Sequence, residues 1–270
     1  MQEMEGKIIL ITGGASGIGK IMVGALLARK AKVIIWDINS AKIEQTVSEF
    51  SEIGTVIGFT VDISDVHQVQ ETALKVTQEI GVVEVLINNA GIVAGKYFHE
   101  HSTSDILKTM EINASAPMLI SKLFLPGMLG QNSGHICNIA SSGGLISNPK
   151  MAVYAASKWA LIGWSDSLRL EMKLLKKNIY VTTIMPYYIN TGMFDGVQSK
   201  IPILDPKVAA LAIIKAIEKK KRMVTIPGYI YRLTKLGQGL LSLNAFDWFA
   251  GTALGIYKTM EHFTGHKNNS

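Results

Sequence analysis

The chain has 270 residues, 48% of them hydrophobic and 18% charged, which suits one large packed core and excludes a disordered chain. The excess of 27 Lys+Arg over 21 Asp+Glu gives +6, but the basic residues are scattered. The one tight cluster, Lys219 to Arg222, closes a helical pattern where cations complement the dipole, so nucleic acid is not an expected partner. A single cysteine, Cys137, excludes an internal disulfide and fits a reducing, cytoplasmic setting. The apolar run after the acidic N-terminus is too short for a signal peptide or a membrane span.

Residues 7–12 form a near-continuous apolar run that predicts a parallel strand buried on both faces. A glycine-rich turn, a helical pattern and a second apolar strand ending in Asp37 follow. The alternation continues with a helix over 40–51, a strand near 56–61, a helix over 65–80 and a strand over 83–89. One long helix is predicted over 103–129, then a strand over 135–141, a helix opening near 152, and a strand over 180–186. A helix over 205–220 and a short strand over 223–227 complete the pattern. Seven strands separated by helices imply an α/β fold of Rossmann type, an open, doubly wound parallel sheet with helices on both faces. No linker or repeat interrupts it, so a single domain is expected, with 1–228 as its dinucleotide-binding and catalytic body and 229–270 as a C-terminal helical extension.

The turn Gly13-Gly14-Ala15-Ser16-Gly17-Ile18-Gly19 follows a strand and opens a helix. Glycines let the main chain approach a pyrophosphate, and the free N–H groups of the helix start receive its charge. Asp37, at the end of the second strand, is placed to accept both hydroxyls of an adenosine ribose and would repel a 2′-phosphate. No basic residue immediately follows it, so NAD is favoured over NADP. Asp62 and Ile63 end the third strand, where they suit an adenine ring; a cap for the helix near Asp65 is the competing role for Asp62. Asn89, Ala90 and Gly91 end the fourth strand, with small residues that leave room for a ribose.

Tyr154 and Lys158 are four apart, on one face of a predicted helix. An ammonium beside a phenol favours the phenolate and should lower its pKa, making the tyrosine a candidate acid/base. Ser141 leaves the preceding strand where its hydroxyl could bind the same substrate oxygen, with Ser142 a competitor for that role.

With these motifs in place, the sequence resembles the short-chain dehydrogenase/reductase family up to about residue 227: TGGASGIG at 12–19, Asp62, NNAG at 88–91, Asn113, Ser141 and YAASK at 154–158. The resemblance implies that Tyr154 is the general acid/base, that Lys158 lowers its pKa and holds the nicotinamide ribose, and that Ser141 positions the substrate oxygen. It also implies that Asn113 holds a water in a relay reaching Lys158, and that Pro186, Ile189 and Thr191 contact the nicotinamide carboxamide. Tyr187 stands where the common pattern has glycine, and the segment from Pro186 to Met193 looks like that of the retinol dehydrogenase and 17β-hydroxysteroid dehydrogenase branch.

Val93, Ser142, Gly143, Leu145, Tyr187, Tyr188, Met193 and Phe194 are candidates to line an apolar substrate pocket for a hydrophobic alcohol or carbonyl compound. His99-Glu100-His101 lacks the spacing of a metal motif, and no metal is expected. The tail from Tyr229 admits three placements: packing on its own or a neighbouring subunit, which ranks first, lying on a membrane surface, or spanning one, which ranks last. The resemblance also implies a homodimer or homotetramer. Reduction of a 3-oxoacyl thioester, and dinucleotide binding without turnover, are the competing functions.

Overall fold

The structure, a computed structural model, describes residues 3–265. Seven strands form one parallel sheet: β1 (Ile8–Thr12), β2 (Lys32–Asp37), β3 (Val56–Thr60), β4 (Val85–Asn88), β5 (Gly134–Ile139), β6 (Ile179–Pro186) and β7 (Met223–Ile226). Their spatial order, β3-β2-β1-β4-β5-β6-β7, reverses direction between β1 and β4. At such a switch point the crossovers diverge to opposite faces and leave a crevice at the carboxyl ends of the strands.

The two-residue period of a strand decides which core each side chain enters. Ile9, Ile11, Val33 and Ile35 face α1 (Gly17–Leu27), α2 (Ser40–Phe50) and α7 (Pro206–Glu218). Leu10, Ile34 and Trp36 face α3 (Val66–Glu79), α5 (Ala116–Gln131) and α6 (Ala152–Leu174). Both faces are dry, which is why these strands read as continuous apolar runs. Cys137 lies wholly inside the first core, where burial pushes its thiol pKa up and leaves it unreactive.

The helix predicted over 103–129 is not continuous. It divides into α4 (Thr103–Met110), a π-helical turn over Glu111–Ser115, and α5. The wider turn carries Asn113, whose amide reaches the backbone of Ile92. Insertion of one extra residue into the i→i−4 ladder is a recurrent device for turning a polar side chain inward. The stretch Thr103–Gln131 is long and apolar enough to cross a membrane, yet Ala116, Ile120, Phe124 and Met128 pack in the second core, so it serves here as a core helix.

Beyond β7 come α8 (Tyr229–Leu240) and α9 (Leu243–Asp247), then a π-helical turn over Trp248–Ala253 and a 3-10 turn over Ile256–Lys258. The chain then returns across the sheet's carboxyl edge, where the Gln198 amide donates to the Thr259 carbonyl and the Thr264 amide to the Asp195 carbonyl.

Candidate active site

A cleft of about 1000 Å³ opens at the switch point. Gly13, Ser16, Gly17, Ile18, Asp37, Asp62, Ile63, Asn89, Ala90, Gly91, Pro186, Ile189 and Thr191 all line it. Gly19 does not. A Cβ there would collide with the Gly13 carbonyl oxygen, so its part is to let α1 close against the turn. Gly17 adopts φ +52, the left-handed region, and presents no side chain to the cleft. Gly19→Ala is expected to displace the turn and weaken NADH binding by at least about tenfold in a fluorescence titration, and unchanged affinity would remove the turn from the binding site.

The turn is fastened to β4 by residues of the two motifs themselves. The Thr12 hydroxyl accepts from the amides of Asn89 and Ala90 at 3.0 and 3.1 Å, and the Asn89 side chain donates to the carbonyls of Thr12 and Gly13 at 3.0 and 3.1 Å. Asp37 accepts from the Ala15 amide at 3.1 Å and from the Asn39 amide at 3.1 Å, which holds its carboxylate at the cleft wall. Asp65 caps α3 by accepting from His67 and Gln68, so Asp62 is released from that duty and faces the cleft. Lys42 also lines the cleft. It follows Asp37 at a distance in sequence, but the first turn of α2 brings it back.

Ser141, Tyr154 and Lys158 converge on the same cleft. Ser141 follows β5 in extended conformation, accepts from the Gly143 amide at 3.1 Å, and lies close enough to the Tyr154 phenol to pull its pKa down. Lys158 lies buried, its Nζ donating to the Ile139 carbonyl at 2.9 Å and sitting 5.7 Å from the Tyr154 ring centroid. Burial dominates both groups: it pushes the phenol up to about 12, against the pull of the Ser141 hydroxyl, and drives the ammonium down to about 8. The net direction is therefore upward, where the i, i+4 ammonium alone predicted a lowering, and desolvation is the cause.

Asn113 is fully buried. Its Oδ1 accepts from the Ile92 amide at 2.8 Å, and its Nδ2 donates to the Ile92 carbonyl at 2.9 Å and to Ser157 Oγ at 3.1 Å. A Cβ added to Gly91 would sit 3.1 Å from Asn113 Oδ1 and 3.5 Å from Lys158 Nζ, so amide oxygen and ammonium flank one point. Ser157, which helps hold Asn113, had no signal in the sequence beyond helical spacing.

The short chain dehydrogenase family model matches residues 7–202. The chain is 34% identical to epidermal retinol dehydrogenase 2 of Mus musculus, covering 100% of this chain and 89% of that protein. It is 33% identical to estradiol 17-beta-dehydrogenase 11 of Homo sapiens, covering 87% of this chain and 79% of that one. A short chain dehydrogenase/reductase from Burkholderia phymatum, solved in complex with NAD, superposes with TM-score 0.81 at 26% identity, covering 88% of this chain and 95% of that chain.

The chain belongs to the short-chain dehydrogenase/reductase family. It is an oxidoreductase with a nicotinamide dinucleotide as cofactor. The cleft of this family member fits that group, because the turn lets the main chain approach closely and the Asp37 carboxylate lines the same cleft at the end of β2.

A second, apolar cavity of about 270 Å³ adjoins the first, lined by Ser141, Ser142, Gly143, Tyr187, Tyr188 and Phe194 among others. Leu145 does not reach it. The 3-10 turn over Ser142–Gly144 rotates that side chain inward against Ala140, Leu161 and Met185, and Ile146 takes the lining position. Met193 lines the larger cleft instead. The tail supplies Leu254 and Ile256 to its wall; further along, Met260 and Phe263 pack with Val93, Tyr188 and Phe194, and the Phe194 ring meets Tyr154 edge-on with centroids 6.0 Å apart. Among the described residues no cluster of His, Cys, Asp or Glu is placed to ligate a metal, and Glu100 accepts from the Tyr97 amide at 2.8 Å.

Proposed function

We propose that this family member is an NAD(H)-dependent dehydrogenase that interconverts a hydrophobic alcohol and its ketone or aldehyde, with Tyr154 as acid/base. One observation carries the reading: Ser141 lines both the larger cleft and the apolar cavity, so its hydroxyl, with Tyr154 in the same cleft, stands at the junction of the two spaces. The relatives, a retinol and an estradiol dehydrogenase, support lipophilic alcohols as the substrate class.

When bound, the dinucleotide supplies a hydride acceptor or donor at the nicotinamide ring. This chain's residues orient and exchange the proton. In oxidation the carbinol hydrogen leaves as hydride and the hydroxyl proton passes to Tyr154; reduction reverses both. Ser141 would donate to the substrate oxygen, Lys158 would bind the ribose, and Asn113, held by Ile92 and Ser157, would stand beside Lys158 at the start of a proton relay. Tyr187, Tyr188 and Phe194 exclude water from the reacting carbon. A homodimer or homotetramer through the outer faces of α5 and α6 belongs to the same reading, since Leu119, Trp159 and Leu170 are exposed there.

Asp37 favours NAD through repulsion of a 2′-phosphate. NADH is expected to bind at least about tenfold more tightly than NADPH, and Asp37→Ser to erase that ratio. Equal affinities in the unaltered protein would overturn the cofactor assignment despite Asp37. A screen of steroid, retinoid and aliphatic alcohols with NAD, followed at the NADH absorbance, tests the substrate class; turnover of short polar alcohols alone would overturn it.

A further inference from the structure

The tail beyond β7 carries a helix with two apolar sides. α8 buries Ile230 and Thr234, yet its solvent side is also apolar. Tyr229, Leu233, Leu236 and Leu240 recur at i, i+4, i+7 and i+11, which places them on one exposed stripe. The stripe continues into α9 and the turn after it. Leu236 is 59% exposed, Leu240 75%, Leu243 84% and Trp248 65%. A contiguous set of large apolar side chains left in water marks a surface that something covers.

Charge decides between candidate occupants. Across residues 229–258 the formal charges are Arg232, Lys235, Asp247 and Lys258. Asp247 accepts from the Tyr257 hydroxyl at 2.8 Å, and exposed Lys200 joins the cationic side by donating to the Ala253 carbonyl at 3.0 Å. Arg232 and Lys235 occupy the exposed strip beside the apolar stripe. A second copy docked face to face would bring these cations against their own counterparts. An anionic lipid surface would accept the leucines and Trp248 among its acyl chains and the cations among its headgroups.

The face is continuous with the apolar cavity. Tyr229 and Leu233 are exposed on the stripe and also line that cavity, as does Leu254. We propose that α8, α9 and the turn after them form a docking surface for an anionic bilayer, which sets the mouth of the apolar cavity against the membrane and admits a lipid-soluble substrate from it. The substrate route rests on the dehydrogenase reading above; the docking does not.

Flotation of the full chain with two kinds of vesicle tests this, one of phosphatidylcholine alone and one of phosphatidylcholine mixed with phosphatidylserine. Recovery on the mixed vesicles is expected to exceed that on the neutral ones by roughly tenfold and to fall with salt. Leu236→Glu combined with Leu240→Glu should cut recovery by at least about tenfold, since both side chains are exposed and outside the cavity lining. NADH binding should stay unchanged in that variant, which establishes that it is folded. No recovery on either vesicle, or equal recovery on both, overturns the proposal. So does a wild-type dimer that fails to float and is dispersed by the same pair of substitutions, because the face then belongs to a second copy. Flotation reads no turnover, so its failure leaves the dehydrogenase reading standing, and failure of the substrate screen leaves the docking standing.

Discussion

Tyr154→Phe is expected to lower kcat by about 10³-fold while leaving NADH affinity within about twofold. The substitution removes one oxygen from a buried ring whose packing, edge-on to Phe194 and beside Met151, depends on its faces and edges. Ser141 keeps the Gly143 amide as a partner, so little else should move. Measurement of kcat and of NADH affinity by titration separates the proton-transfer role from binding. Retention of a tenth or more of the wild-type rate would take the acid/base assignment away from Tyr154.

The pH profile follows from the same site. With the phenol pushed up to about 12, Tyr154 holds its proton at neutral pH and is ready to donate it in carbonyl reduction. Alcohol oxidation needs the phenolate, whose fraction rises tenfold per pH unit below the pKa. The rate of oxidation should therefore climb with pH, while reduction stays level over the neutral range. Lys158 keeps its own charge only below about 8, and loss of a cation 5.7 Å from the ring centroid disfavours the phenolate. The climb should consequently slacken as pH passes that value. A level oxidation profile between neutrality and pH 8 would mean that the phenol does not control the step.

Much of this was legible in the sequence because it is local. Both faces of β1 and β2 are buried, so their apolar runs announced strands, and the glycines between Thr12 and α1 sit within one turn whose geometry depends on neighbours in the chain. What escaped depends on distant contacts or on a single residue's rotation. The π turn at Asn113 arises where α4 and α5 meet the Ile92 backbone, and nothing in the helical period of 103–129 records that loop. Leu145 and Ile146 are equally apolar neighbours, and only the pitch of the 3-10 turn assigns one to the core and the other to the cavity. Phe263 reaches Phe194 by a return of the chain that no pattern in the tail predicts. The i, i+4 spacing placed Tyr154 near Lys158 but carried no account of burial, which is why the direction of the phenol's shift could not be read from it.

Lys158→Met is expected to abolish measurable turnover and weaken NADH binding, yet to raise the melting temperature by about 5 °C at pH 7. Burial lowers the ammonium from its ordinary 10.5 to about 8, so the unfolded chain holds this proton more tightly than the folded one does. Below pH 8 the lysine is charged in both states and folding carries a cost on the order of 3 kcal/mol. That cost shrinks as pH rises from 8 and is gone above 10.5, where the lysine is neutral in both states. Methionine is unbranched, one atom shorter than lysine, and removes the charge. It also strips the Ile139 carbonyl of its 2.9 Å donor, which takes back about 1 kcal/mol. The net gain should therefore be present at pH 7 and vanish near pH 10.5, where the lost hydrogen bond alone remains. Thermal melts of the two proteins at both pH values test the sign. A variant less stable at pH 7 would show that the buried ammonium is held at no cost to the fold. A more stable but inactive one would mean that a destabilising lysine is kept at this position for the cofactor and for Tyr154.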